Sequence, residues 1–270
     1  MIKAIERHIE RRKGENSRIL FAGYRAYEGI IPVAVAAAMN NKRVLMSRLR
    51  QEDYADSAFL GDSESVRKEV GLDHLLRERH LGNLKESIVA DGTFSFLEHK
   101  LSFLSGPKKP LDRYVYNDIR AITSQLDSLY DLTMYDIGTA SDNAELLKRC
   151  LEDADVIVLC PSQNRWEILE LLQKYREYRK KWILALMEYD DTSYYNIRNL
   201  RRLYPELRGV TIIGLPKEQT FLDALSNTTV VEYFLKYAHE KGESENWLLY
   251  EARRLYAAIQ EEGNKNGLSD

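Results

Sequence analysis

Apolar residues fall into short continuous runs, separated by stretches in which they recur every three or four positions. The runs lie at 17–22 (SRILFA), 42–49 (KRVLMSRL), 130–136, 156–160, 182–187 and 210–214. Runs of this length with flanking turn signals predict buried strands. Helices are predicted at 116–129, where Ile119, Ile122, Leu126 and Leu129 share a face, and at 143–150, 166–180, 194–203, 219–225 and 245–262. The segment 31–39 (IPVAVAAAM) predicts an apolar helix with Pro32 in its first turn, where a missing N–H costs little. Residues 51–83 are polar and mostly helical, 94–104 suits a strand and its approach, and 105–111 is a loop by its Gly and two Pro. At 2–13, Ile2, Ile5 and Ile9 form a stripe among Lys3, Arg7, Arg11, Arg12 and Lys13, which predicts an amphipathic helix.

Strands alternate with helices, and the strands are continuously apolar. That combination predicts an α/β protein: a doubly wound, mostly parallel sheet with helices on both faces. No repeat or Ser/Pro/Gly linker divides it. The expected organisation is an N-terminal amphipathic helix within 1–16, a single domain over 17–262 and a flexible tail at 263–270.

Composition narrows the function classes. Of the 270 residues, 44% are hydrophobic and 30% charged, which suits a globule with a sizeable core. The net charge of −3 argues against a general nucleic-acid or acidic-lipid binder. No apolar run approaches the roughly 18 residues of a membrane span, and the N-terminus is too polar for a signal peptide. Cys150 and Cys160 are the only cysteines, too few for a disulfide framework or a four-cysteine zinc site, so a reducing cytoplasm is the expected compartment. His8, His74, His80, His99 and His239 are scattered, and Ser162 lacks a nucleophile-elbow context. No metal site or hydrolase is indicated.

In a parallel α/β sheet, ligands bind at the carboxyl ends of the strands. The first strand-to-helix loop reads Gly23-Tyr24-Arg25-Ala26-Tyr27-Glu28-Gly29. A phosphate cradle wants several glycines, a lysine and a Ser or Thr for magnesium. This loop has two glycines, no lysine and no hydroxyl apart from those of its tyrosines.

The run 19–50, ILFAGYRAYEGIIPVAVAAAMNNKRVLMSRLR, resembles the opening of the MinD/ParA-like ATPases, which carry a strand, a KGGxGKTT loop, a small-residue helix and a strand ending in aspartates. Further segments are similar to that family: Gly71-Leu72-Asp73-His74-Leu75-Leu76, 101–111, the YDLTMYD strand at 130–136, Ala154-Asp155-Val156-Ile157-Val158-Leu159, Gly214-Leu215-Pro216-Lys217, Asp223-Ala224-Leu225 and Val230-Val231-Glu232-Tyr233. The resemblance covers nearly the whole chain and implies a P-loop NTPase-like fold.

By this resemblance Gly23 stands where the family has its signature lysine, Glu28 where it has the phosphate lysine, and Gly29 where it has the magnesium-binding hydroxyl. Arg48 and Arg50 replace the two aspartates that end the second strand, and Asp136 matches the Walker B aspartate. Each unit charge beside a phosphate is worth about 4 kcal/mol at about 4 Å and an effective dielectric of about 20. Glu28 therefore converts attraction into repulsion. The strand ending Ala185-Leu186-Met187-Glu188 also lacks the asparagine that often contacts adenine in relatives.

The expectation is a pseudo-ATPase with no catalytic residues and no cofactor, serving as a protein-binding and localisation module. Its degenerate loop resembles the TadZ/CpaE branch, which implies a role in pilus or secretion assembly. The alternatives are a nucleotide-dependent dimer switch or slow ATPase using ATP and magnesium with Arg25 or a partner's arginine, and a DNA-associated partition protein using Arg198, Arg201 and Arg202. The expected partners are proteins, including a second copy of the chain held by protein contacts alone. A membrane-binding terminal helix is disfavoured by the acidic Glu251, Glu261 and Glu262.

Three local expectations follow. Glu28 and Arg48 reverse the family's charge signs and could form a salt bridge across the vacated site. Arg25, Arg48 and Arg50 could instead hold a bare anion. Tyr189, Tyr194 and Tyr195, around Asp190 and Asp191, suit a protein interface.

Overall fold

The computed structural model of the chain describes residues 17–51, 71–109, 116–139, 144–238 and 246–267. The predicted helix at 2–13 lies outside the described residues, as does most of the polar stretch at 51–70.

The elements run in order β1 (Ser17–Ala22), α1 (Ala26–Met39), β2 (Val44–Arg48), α2 (Leu72–His80), α3 (Glu86–Asp91), β3 (Phe94–Phe96), β4 (Leu101–Leu104), α4 (Tyr116–Leu129), β5 (Leu132–Gly138), α5 (Ala144–Asp153), β6 (Val156–Leu159), α6 (Arg165–Lys174), β7 (Trp182–Tyr189), α7 (Ile197–Leu203), β8 (Thr211–Pro216), α8 (Gln219–Ser226), α9 (Val230–Ala238) and α10 (Trp247–Gly267). The eight strands form one sheet in the order β3-β4-β2-β5-β1-β6-β7-β8. Every pairing is parallel except β3 with β4, a short antiparallel hairpin at one edge. The predicted doubly wound α/β architecture is the one observed.

The continuous apolar strands are explained by the two cores they separate. Ile19 and Phe21 of β1 face one core with α1, α8, α9 and α10, and Leu20 and Ala22 face the other with helices α2 to α7. A strand covered on both faces needs apolar residues at every position, so no polar alternation survives. Each fully buried aliphatic side chain contributes about 1.5–3 kcal/mol.

Two helices are additions to the prediction. The segment Val230–Ala238 is helical, with Val230, Tyr233 and Phe234 in the core, and Glu86–Asp91 forms a short helix that buries Val89. The final helix continues to Gly267, past the expected end at 262.

The helix α1 departs from its prediction in a way that shapes the site. It begins at Ala26 rather than at 31, which places Pro32 inside the helix instead of in its first turn. Pro32 offers no N–H to the carbonyl of Glu28, a cost that normally ends a helix. The early start is favoured by burial: Ala26, Tyr27, Ile30 and Ile31 are all within the core. Its alanines let α10 pack closely along it, and α10 also covers β8. At the other end the Asn40 amide donates to the Ala36 carbonyl at 2.8 Å, and Asn41 takes the left-handed conformation that turns the chain into β2.

The helix α10 is a structural element of this core, because Leu248, Leu249, Ala252, Leu255 and Ile259 are buried in the cluster shared with α1 and the sheet. Leu255→Ala is expected to lower the unfolding free energy by about 2–5 kcal/mol in urea titrations, the range for deleting a buried leucine. A surface-exchangeable tail would lose less than about 0.5 kcal/mol.

Candidate functional site

The carboxyl ends of β2, β5, β1, β6 and β7 meet in the middle of the sheet, and the candidate residues converge there. Register places Arg48 of β2 and Phe21 of β1 on either side of Asp136 of β5. Arg48 and Asp136 are both fully buried, and the Arg48 Nε donates to the Asp136 carboxylate at 3.2 Å. Arg50 Nε donates to the same oxygen at 3.0 Å, while the other oxygen accepts the Gly138 N–H at 2.8 Å. A carboxylate in the dry interior is costly unless paired and hydrogen-bonded, and here two guanidiniums and a backbone amide meet it. The Arg48 guanidinium also lies over the Tyr27 ring, 5.0 Å from its centroid.

Two glycines make this arrangement possible. Gly138 has φ +56, and an added Cβ would stand 2.7 Å from the Arg50 Cδ, so the bare backbone leaves the lane through which Arg50 reaches Asp136. Gly23 has φ +136, and a Cβ there would stand 2.5 Å from the Cys160 carbonyl oxygen. A side chain at residue 23 would require the Cys160 backbone, just past the end of β6, to move. The Gly23 N–H donates to the Gly138 carbonyl at 2.8 Å, and Cys160 N–H to the Ala22 carbonyl at 2.7 Å, which ties the loop down on both sides.

The loop itself is short. Between the end of β1 at Ala22 and the start of α1 at Ala26 lie only Gly23, Tyr24 and Arg25. The Ala26 N–H turns back to the Gly23 carbonyl at 3.3 Å. A phosphate cradle instead needs a wider loop with amides aimed inward. The expected loop 23–29 is thus a three-residue turn followed by helix, because burying Ala26, Tyr27 and Gly29 favours an earlier helix start. Gly29 packs so closely that a Cβ would stand 3.3 Å from both the Cys160 Sγ and the Met187 Sδ. Cys160 is an interior thiol: burial first, with Asp136 and Glu28 nearby, pushes its pKa well above the ordinary range.

Glu28 does not pair with Arg48. It accepts two hydrogen bonds from Arg25, at 2.9 and 3.2 Å, while Arg48 is turned inward to Asp136. The reason is geometric: Arg25 precedes Glu28 by three residues at the start of the helix and reaches it along the surface, whereas Arg48 points into the sheet interior. Arg25 also meets Glu188 at 3.3 Å, and Glu188 meets Lys217 at 3.6 Å. The anion site considered for Arg25, Arg48 and Arg50 therefore has a carboxylate at each of its three arginines. Tyr24 projects outward, 59% exposed.

Glu188 and Lys217 are members of the site that the sequence pattern did not mark. The only signal for them is position, at the carboxyl ends of β7 and β8. A register irregularity in β7 and a left-handed Glu188 swing that carboxylate toward Arg25.

No protein-family model matches the sequence, and no curated protein does. Solved structures do match. A ParA family ATPase from Chlorobium tepidum superposes with a TM-score of 0.66 at 14% identity, over 91% of this chain and 98% of that one. The fold is that of the MinD and ParA ATPases. The MinC:MinD cell division complex of Aquifex aeolicus gives 0.62 at 12% identity over 89% and 96% of the two chains, and an AMPPNP-bound plasmid partition protein of Borrelia burgdorferi gives 0.61 at 12% over 93% and 99%. At these identities the likeness establishes the MinD/ParA fold, and the departures in this chain gather at the carboxyl edge of its sheet. Among the described residues, no helix is long and apolar enough to cross a membrane.

Two outcomes are expected from substitution. Asp136→Ala leaves two arginines facing a buried site without their carboxylate, and should cost about 3–5 kcal/mol in urea unfolding. The apolar double change Arg48→Met with Asp136→Leu should cost less than Asp136→Ala alone.

Burial raises the Glu28 carboxyl above its ordinary pKa, with Arg25 partly opposing. The folded chain then binds that proton more tightly than the unfolded chain, so ionised Glu28 counts against folding. The stability of Glu28→Gln relative to the native chain should therefore increase as pH rises from the ordinary glutamate range through the raised value, and level off above it. Urea unfolding of both proteins across that range reads the difference, and a difference that shrinks with rising pH contradicts the assignment.

Proposed function

We propose that this protein is a non-catalytic member of the MinD/ParA fold that binds and positions other proteins. The observation that carries the reading is the closure of the first loop. Three residues join β1 to α1, and the space at the strand ends is taken by Tyr27, Arg48, Arg50 and Asp136. A magnesium nucleotide would require a cation at Glu28, a hydroxyl at Gly29 and a free carboxylate at Asp136. Glu28 instead carries negative charge held by Arg25, Gly29 is packed tightly against the Cys160 and Met187 sulfurs, and Asp136 is shared by two arginines. The residues present do not fit the ligand, and no hydrolytic step is assigned.

The protein-binding half of the reading is supported by exposed aromatic side chains at the same edge. Tyr24, Trp166 and Tyr194 are 59%, 72% and 60% exposed, and they follow β1, β6 and β7, three adjacent strands. Exposed amphipathic aromatics, here on two loops and the first turn of α6, are the residue types that dominate protein interfaces. Self-association, where it occurs, would then use protein contacts and need no bridging nucleotide. The resemblance of the loop to the TadZ/CpaE branch makes pilus or secretion assembly the proposed setting.

Calorimetric titration with ATP and magnesium tests the reading directly. No saturable heat is expected. Magnesium-dependent binding in the micromolar range or tighter would overturn the non-catalytic assignment and favour a nucleotide switch.

A further inference from the structure

We infer that the groove beside α7 is a docking site for an acidic segment of a protein partner. This names the chemistry of one partner for the binding role proposed above, and it rests on that reading.

The groove is open, about 730 Å³, and runs between the end of β7 and one face of α7. Its floor is apolar: Tyr189 lies flat against the backbone of β8, where a Cβ on Gly214 would stand 2.3 Å from the ring, and Ile197 lies beside it. Its wall is Arg198, Arg201 and Arg202, which share one face of α7 at spacings of three and four residues. Arg208 continues the basic strip past Arg201 in the adjoining cavity.

The charge on this wall is uncompensated. All four arginines are exposed, and among the described residues none forms an ion pair. Several other arginines meet carboxylates, as at Arg18 with Asp127, Arg25 with Glu28 and Arg254 with Glu251, while Arg165, Arg176 and Arg179 are without one among the described residues. Like charges three and four apart on a helix repel one another. Helix polarity accounts for Arg201 and Arg202 in the last turn, but it disfavours Arg198 in the first. The local structure does not repay this arrangement, and a bound anion would.

The groove favours carboxylates of a peptide over a nucleic-acid backbone. Arginine forks match carboxylate and phosphate alike, and it is the apolar floor, offering Tyr189 and Ile197 to side chains lying between the acids, that favours a peptide. The net charge of −3 also opposes the broad electrostatic attraction on which duplex binding depends.

Fluorescence anisotropy on the full chain tests this with three labelled probes: a short peptide alternating Glu or Asp with Leu or Phe, the same peptide with Gln and Asn for the acids, and a random-sequence duplex DNA. The acidic peptide should bind with an affinity that falls as salt rises. The neutral peptide should not bind, and the DNA should bind more weakly than the acidic peptide. The triple change Arg198→Ala, Arg201→Ala and Arg202→Ala should weaken acidic-peptide binding by roughly tenfold or more with an unchanged thermal melt, and the three Lys replacements should also weaken it, because lysine lacks the fork.

Absence of acidic-peptide binding, binding indifferent to the triple Ala change, or tighter DNA binding through the same arginines would overturn the inference. The two readings fail separately. A silent ATP titration with no peptide binding removes only the groove, whereas nucleotide binding with peptide binding retained removes the non-catalytic reading and leaves the groove.

Discussion

A single buried carboxylate organises the centre of this molecule. Asp136 ends β5 between β1 and β2, fully removed from water, and it cannot remain charged there without partners. Arg48 comes from the neighbouring strand and Arg50 from just beyond it, the latter through a lane that exists because residue 138 is glycine. The Tyr27 ring packs against the Arg48 guanidinium and draws the first turn of α1 downward. The early helix start, the interior Pro32 and the short loop are all consistent with this one arrangement. The chain meets this buried carboxylate with its own guanidiniums and a backbone amide.

The same edge is organised differently at its surface. Arg25, Glu28, Glu188 and Lys217 alternate in sign across the mouth of the site. These pairs are half exposed, so each adds little to stability. Their effect is to leave the mouth with no net charge. Charge without a partner lies instead on α7, some distance along the sheet order, where arginines stand beside an apolar groove. The fold thus places its paired charges at the centre and mouth of the sheet edge and the arginines of α7 on its flank.

The architecture was legible in the sequence because burial on both faces forces continuous apolar strands, and 17–22, 156–160 and 182–187 are of that kind. The helix at 116–129 was legible for the complementary reason, since one buried face imposes a helical spacing on Ile119, Ile122 and Leu126. The helix at Val230–Ala238 was not, because three of its residues are aromatic and two are valine, a composition that local propensity does not assign to helix. Its burial beside Phe221 decides the matter. Within the candidate site, the identity of the unusual residues was legible one by one, but their pairing was not. A reversed-sign match of Glu28 with Arg48 is the natural reading of a linear chain, and it fails because the two side chains leave the backbone toward different environments.

What the sequence by itself determined is the set of elements and the absence of lysine, serine and threonine from residues 23–29, since both follow from local composition and order. What only the tertiary structure decided is which charges meet. Partner choice for a buried group depends on strand register, on the room left by Gly138 and Gly23, and on burial that raises the cost of any unpaired charge, and none of these is a property of neighbouring residues in the chain.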